Sequence, residues 1–203
     1  MPSPKSQLTL LLLTFAFAQQ SLAENWPCWR GPRGDGTVHD TVAPVEWDGE
    51  TGRNVAWKIA VPGTGHSSPI VWGDRVFLTS CIEDSQERVL ICFDRTDGRA
   101  LWQKTVTKSI LETKHRLNSH ASGTPATDGR AVYVTFLVTD GHEVPAQNVG
   151  KARPVTAGQM TVAAYDFDGN QLWISNPGDF TSVQGYCSSP VIYKQLLIVN
   201  GDH

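Results

Sequence analysis

Hydrophobic residues along this chain fall in short runs, and none repeats at the 3.6-residue spacing of an amphipathic helix. Three runs are rich in β-branched and aromatic residues: RVFLTS at 75–80, AVYVTFLV at 131–138 and LLIVN at 196–200. Such runs read as strands. Each follows a Ser/Thr-Pro opening: Ser68-Pro69-Ile70-Val71-Trp72-Gly73, Thr124-Pro125-Ala126-Thr127-Asp128-Gly129 and Ser189-Pro190-Val191-Ile192-Tyr193.

A second pattern recurs downstream. Residues 92–102 read CFDRTDGRALW and residues 164–173 read AYDFDGNQLW. In both, an aromatic–Asp pair ends a strand, a Gly lies four residues before a Trp, and Leu precedes that Trp. Asp and Gly suit a tight turn between antiparallel strands, because Gly accepts positive φ and the carboxylate bonds amides across the turn. The Trp is expected to pack a large ring between neighbouring sheets. Trp57, in NVAWKIAV, matches the last strand of the same unit.

The repeat unit therefore has four strands. The first copy is expected at about 67–72, 75–82, 88–94 and 100–106, with a short hairpin at 83–86. The second is expected at about 122–127, 131–138, 160–166 and 171–175. Residues 139–159 are polar and rich in Gly and Pro, and read as a long inserted loop. Ser68 and Thr124 are 56 residues apart, and Thr124 and Ser189 are 65 apart. That is the spacing of propeller blades. A β-sandwich would accept the strands but does not predict a repeated turn-plus-Trp signature.

The expected fold is all-β: a β-propeller of four-stranded antiparallel blades, forming an open arc. It comprises a blade remnant at 54–61, a blade at 67–106, a blade at 122–177 and a partial blade at 186–203, after an extended segment at 24–53. Two blades are complete and two are partial. The partners of residues 54–60 are expected in sequence outside this chain, which reads as a fragment of a longer propeller. Apolar blade faces at both ends of an arc predict poor solubility or self-association.

Composition adds the compartment. Residues 1–23 carry Lys5, an apolar run at 8–18, and the small residues Ser21 and Ala23 ahead of Glu24. This is the pattern of a signal peptide cleaved after Ala23, and the run is too short to span a bilayer. Cys28 lies too far from that point for a lipoprotein anchor. The expected location is periplasmic or extracellular. A formal net charge of −3, with no basic stripe, gives no support for binding nucleic acid or an anionic membrane surface. Seven Trp and 18 Gly beside two Met fit many short strands and turns. Of the four cysteines, Cys81 and Cys92 flank the first hairpin and are the best candidate disulfide, with buried free thiols as the alternative.

The pattern SSPxVxG…VxxxS…LxxFD…DGxxLW over residues 54–203 resembles the quinoprotein-alcohol-dehydrogenase-like (PQQ-like) propeller repeat. Upstream, Trp26-Pro27…Trp29-Arg30-Gly31-Pro32…Gly34-Asp35-Gly36 is similar to the WPxxRGPxGDG opening of large exported bacterial proteins with PQQ-binding-like repeats. The resemblance implies about seven or eight blades in the whole propeller. It makes the Trp and Gly residues structural and does not by itself imply the cofactor. The adjacent Cys-Cys pair of many quinone dehydrogenases is absent, and no Glu/Asn/Asp set takes the calcium-ligand roles.

No residue is assigned to catalysis, cofactor or metal. His115, Asn118 and His120 precede an innermost strand, but two His five apart with no evident third ligand suit loop hydrogen bonding better than a metal. Asp94, Asp97 and Gly98 fall short of a calcium loop. Gly63, Gly65 and His66 lack the Lys and following helix of a phosphate loop. Ser67, Ser68, Ser188 and Ser189 have no nucleophile-elbow context. Asp166 and Asp168 alternate around a turn. The leading expectation is a non-catalytic binding or scaffold module with a protein or polysaccharide partner. The alternatives are part of a pyrroloquinoline-quinone dehydrogenase, using the quinone with calcium, and an accessory module of a larger exported enzyme.

Overall fold

In the computed structural model, residues 24–39, 44–146, 150 and 153–201 are described. Residues 1–23, expected as a signal peptide, and residues 202–203 lie outside the described residues. Among the described residues, the regular structure is strand apart from one 3₁₀ turn at Glu83–Ser85.

The first blade is formed by β1 (Ile70–Trp72), β2 (Arg75–Ile82), β3 (Glu87–Asp94) and β4 (Ala100–Lys108), in the order β1-β2-β3-β4 with every pair antiparallel. The second contains β5 (Ala126–Thr127), β6 (Val132–Val138), β7 (Glu143–Pro145), β8 (Pro154–Tyr165) and β9 (Gln171–Ser182). In it, β6 and β7 share one edge of β8, and β9 takes the other. A third sheet consists of β10 (Val191–Tyr193) paired with β11 (Leu196–Ile198).

The first blade is covered on both faces, which explains why β2 and β3 read as nearly continuous apolar runs, whereas the outer half of the second blade is open on the side away from the first. Residues alternate between the two faces of a strand. Phe77, Leu90 and Cys92 of the first blade point into a core shared with Val132, Val134 and Tyr165 of the second. Val76, Val89, Ile91 and Phe93 pack on the opposite side against Trp57 and Ile59. Complete burial of Phe77 makes its replacement by Ala costly, by about 3–5 kcal/mol.

The docking contacts repeat from blade to blade. Trp57 donates its indole N–H to the Arg95 carbonyl at 2.8 Å and lies against Gly98. Trp102 donates to the Phe167 carbonyl at 2.9 Å and lies against Gly169. A Cβ built on either glycine would come within 3 Å of the indole, and both glycines have positive φ, so another residue would have to displace the ring. On the inner side, Thr79 Oγ1 donates to the Gly123 carbonyl and Thr135 Oγ1 to the Ser188 carbonyl. The Ser68 amide donates to Thr124 Oγ1, and the Thr124 amide to Ser189 Oγ.

Three expectations are corrected and one open choice, at the cysteines, is decided. Residues 54–61 place Trp57 as expected but form no strand, because no ladder partner lies beside them among the described residues. Residues 139–159 are not loop throughout: β7 and the first half of β8 lie there, with Val144 opposite Val155. The second blade does not stop at 177, since β9 continues to Ser182 against the lengthened β8. Cys81 and Cys92 share a sheet face but not a rung: Cys81 is opposite Arg88 and Cys92 opposite Phe77, and both thiols are free.

Candidate ligand cleft at the strand openings

The antiparallel order carries the strand openings, the β2–β3 turn and the linkers between blades to one end of the array. Thr64 Oγ1 donates to Glu83, the Ser109 amide to the Gln86 carbonyl, and the His115 amide to the Gln184 carbonyl. The N-terminal segment folds onto the innermost strands. Trp26 exchanges both backbone hydrogen bonds with Val71 at 2.8 and 2.9 Å, and the Pro27 carbonyl accepts the Thr127 amide at 2.8 Å. The segment thereby occupies edge groups of β1 and β5.

The glycines of the WPxxRGPxGDG stretch make the turns that hold this segment. Gly31, Gly34 and Gly36 all have positive φ, and Gly31 lies under the Trp26 ring with no space for a Cβ. Arg33 forms a bidentate pair with Glu24 at 2.5 and 2.9 Å and also donates to the Thr37 carbonyl. Asp35 accepts the Thr37 amide and hydroxyl, and these bonds hold its carboxyl below the usual aspartate range.

Between this segment and the strand openings lies a cleft of about 620 Å³. Its hydroxyls come from Ser68, Ser122, Thr124, Ser188 and Ser189. The Trp29 indole, 55% exposed, forms an aromatic wall, and the Arg30 guanidinium stands 4.6 Å from that ring's centroid. His66, Asn200 and the thiols of Cys28 and Cys187 complete the polar lining, with Pro190 and Val191 as apolar surface. No Asp, Glu, Lys or Arg side chain is among the lining residues.

The sequence candidates divide between the cleft and the framework. His66, Ser68, Ser188 and Ser189 reach the cleft. Ser67 instead accepts the Thr79 amide. Asn118 donates to the Gln184 carbonyl and accepts from the Ser119 amide and Ser122 hydroxyl, so it shapes the linker. His115 is exposed, with Nδ1 accepting the Leu117 amide. Gly63 and Gly65 lie against the backbone of β2 and of the linker. Asp94 and Asp166 cap their turns. The Thr96 amide for Asp94 and the Asn170 side chain and amide for Asp166 hold both carboxyls below the usual range. Asp97 and Asp168 lie in the same two turns, where the Arg99 amide donates to Asp97 and the Asp168 amide to Asp166.

One buried group carried no signal in the sequence. Arg88, opening the apolar run of β3, is fully buried and donates to Glu112 at 2.6 Å and to the carbonyls of Ser109 and Ile110. His120 donates Nε2–H to the Glu112 carbonyl at 3.1 Å, while its Nδ1 faces Glu83 at 3.6 Å. Together they fasten the linker between the two blades. Burial pushes the Cys81 and Cys92 thiols up to about 11, which keeps them protonated and weakly reactive.

A family model described as outer membrane protein assembly factor BamB matches residues 37–144, just over half of the chain. The chain belongs to this family of PQQ-like β-propeller repeats. The match runs from the extended segment through the first blade to β7 of the second. Comparison with curated proteins finds no match. Among the described residues, no helix is long and apolar enough to cross a membrane.

The repeat's name raises the question of whether the cleft suits the quinone. Pyrroloquinoline quinone carries several carboxylates, and with calcium it needs both cationic side chains and oxygen ligands of high charge. The lining residues provide neither. Among the described residues, no three His, Cys, Asp or Glu side chains converge as metal ligands either. The cleft does not fit the quinone–calcium pair.

Proposed function

We propose that this propeller is an exported, non-catalytic binding or scaffold module that holds a protein or glycan partner at the end where its strands open. The observation that carries this reading is the cleft between the N-terminal segment and the innermost strands, lined by Trp29 and by Ser and Thr hydroxyls. Residues 1–23 and the family's description, which concerns outer membrane protein assembly, support a periplasmic or extracellular location. We further propose that additional blades complete the propeller. Trp173 supports this: it repeats the positions of Trp57 and Trp102 but is 41% exposed, without the glycine turn that receives each of those rings.

The competing reading, part of a quinone-dependent dehydrogenase, is tested directly. The protein is titrated with pyrroloquinoline quinone and calcium while absorbance and alcohol-dependent dye reduction are followed. The expected result is no saturable binding and no dye reduction. Saturable binding with substrate-dependent reduction would overturn the binding-module reading.

A further inference from the structure

We propose that the cleft beside Trp29 binds a neutral carbohydrate of two to three sugar units. This rests on the binding-module reading and narrows its partner. Three observations support it. First, no Asp, Glu, Lys or Arg side chain lines the cleft, and the nearest charge, the Arg30 guanidinium, is stacked over the Trp29 ring at the rim, so a charged ligand would lose its hydration inside without a counter-charge in the lining. Second, the lining is rich in hydroxyls, each with one donor hydrogen and two acceptor lone pairs. Thr124 and Ser189 each use one lone pair on the amide of the preceding blade, which fixes the oxygen's position and leaves further hydrogen-bonding capacity. Ser122 and Ser188 already donate to Asn118 Oδ1 and to the Asn200 carbonyl, so they offer lone pairs, while Ser68, Thr124 and Ser189 supply the donors; this neutral set matches a ligand made of hydroxyls. Third, Trp29 offers a large aromatic surface at the rim, onto which the apolar face of a sugar ring can stack.

The size is also suitable: about 620 Å³ lies within the roughly 300–1,000 Å³ typical of small-ligand sites. A peptide suits the cleft less well. Peptides that join a sheet use a free strand edge, and here Trp26 pairs with the β1 edge at Val71 while Pro27 takes the Thr127 amide of β5, which leaves only the three-residue β10 to offer one.

The test presents the full chain with cellotriose, maltotriose and N,N′-diacetylchitobiose, followed by calorimetry and saturation-transfer NMR. A sulfated disaccharide and an uncharged tripeptide serve as contrasts. Saturable binding of at least one neutral oligosaccharide is expected, weakened about tenfold or more in Trp29→Ala and partly restored in Trp29→Phe. Both variants should keep the parent melting temperature, which separates loss of the stacking surface from loss of fold. No saturation by any neutral sugar, stronger binding of the sulfated or peptide probe, or equal affinity in Trp29→Ala would each overturn the proposal. If the sugars fail while a protein partner is cross-linked at the same end, the binding-module reading stands and the carbohydrate inference falls. Quinone binding would remove both.

Discussion

The junction between the two complete blades and the junction between the second blade and the β10–β11 sheet share an inner half and differ in the outer half. Inside, both use a Thr hydroxyl on the second strand and an amide-to-hydroxyl bond at the opening: Thr79 and Ser68 at the first, Thr135 and Thr124 at the second. Outside, Trp102 is seated on Gly169 and bonded to Phe167, whereas Trp173 borders an open apolar cleft with Pro177 and Leu196. Neighbouring Leu172, Ile174, Tyr193 and Ile198 are all exposed. The two halves of a blade junction thus have separate requirements. Two strands and their opening suffice for the inner contacts. The outer contacts need the turn between a third and a fourth strand.

The linkers differ as well. Residues 109–112 are fastened by buried Arg88 and its partner Glu112. Residues 183–185 of the next linker are held by the Arg153 side chain, the His115 amide and Asn118, all near the surface.

The largest expected effect lies in that first linker. Arg88→Met leaves Glu112 buried without its cation and should cost about 3–5 kcal/mol in denaturant unfolding. A loss below about 1 kcal/mol would mean that solvent reaches Glu112 and that the two linkers are alike. Next comes the tryptophan pair. Trp102→Ala should destabilise by about 3 kcal/mol, while Trp173→Ala should cost well under half of that, because its ring is only partly covered. Equal losses would erase the outer difference between the junctions. The smallest effect tests the inner similarity. Thr79→Val and Thr135→Val each remove a donor to a carbonyl of the next blade opening, and each should cost about 1 kcal/mol. A marked inequality in thermal or denaturant unfolding would show that the inner halves also differ.

Much of this architecture was legible in the sequence. The β2 boundaries, the Gly-before-Trp turn and the repeated Ser/Thr-Pro openings are local signals, set by strand preference, positive φ and the proline ring. The extension of β8 and β9 was not legible. Pro154, Gly158 and Gly178 read as breakers, yet they sit in a paired ladder that the facing strand holds in place, and Pro177 falls in the bulge where pairing skips from Ser175 to Gly178. Of the two readings of Cys81 and Cys92, buried free thiols hold over a disulfide, because nearness in sequence across a hairpin does not fix register. Four rungs separate the partners of Cys81 and Cys92.

For the cleft, the sequence by itself determined its parts. The openings at Ser68, Thr124 and Ser189 recur at blade spacing, and the Trp-rich, Gly-rich stretch at 26–36 had to be a series of turns. Only the tertiary structure decided that this stretch folds back on the innermost strands and makes Trp29 the wall opposite those hydroxyls. Likewise, only the fold brought Arg88 to Glu112. The physical reason is the same in both cases. Local propensity acts over a few residues, whereas an edge amide or a buried charge can be satisfied by any group the packed chain delivers, however distant in sequence.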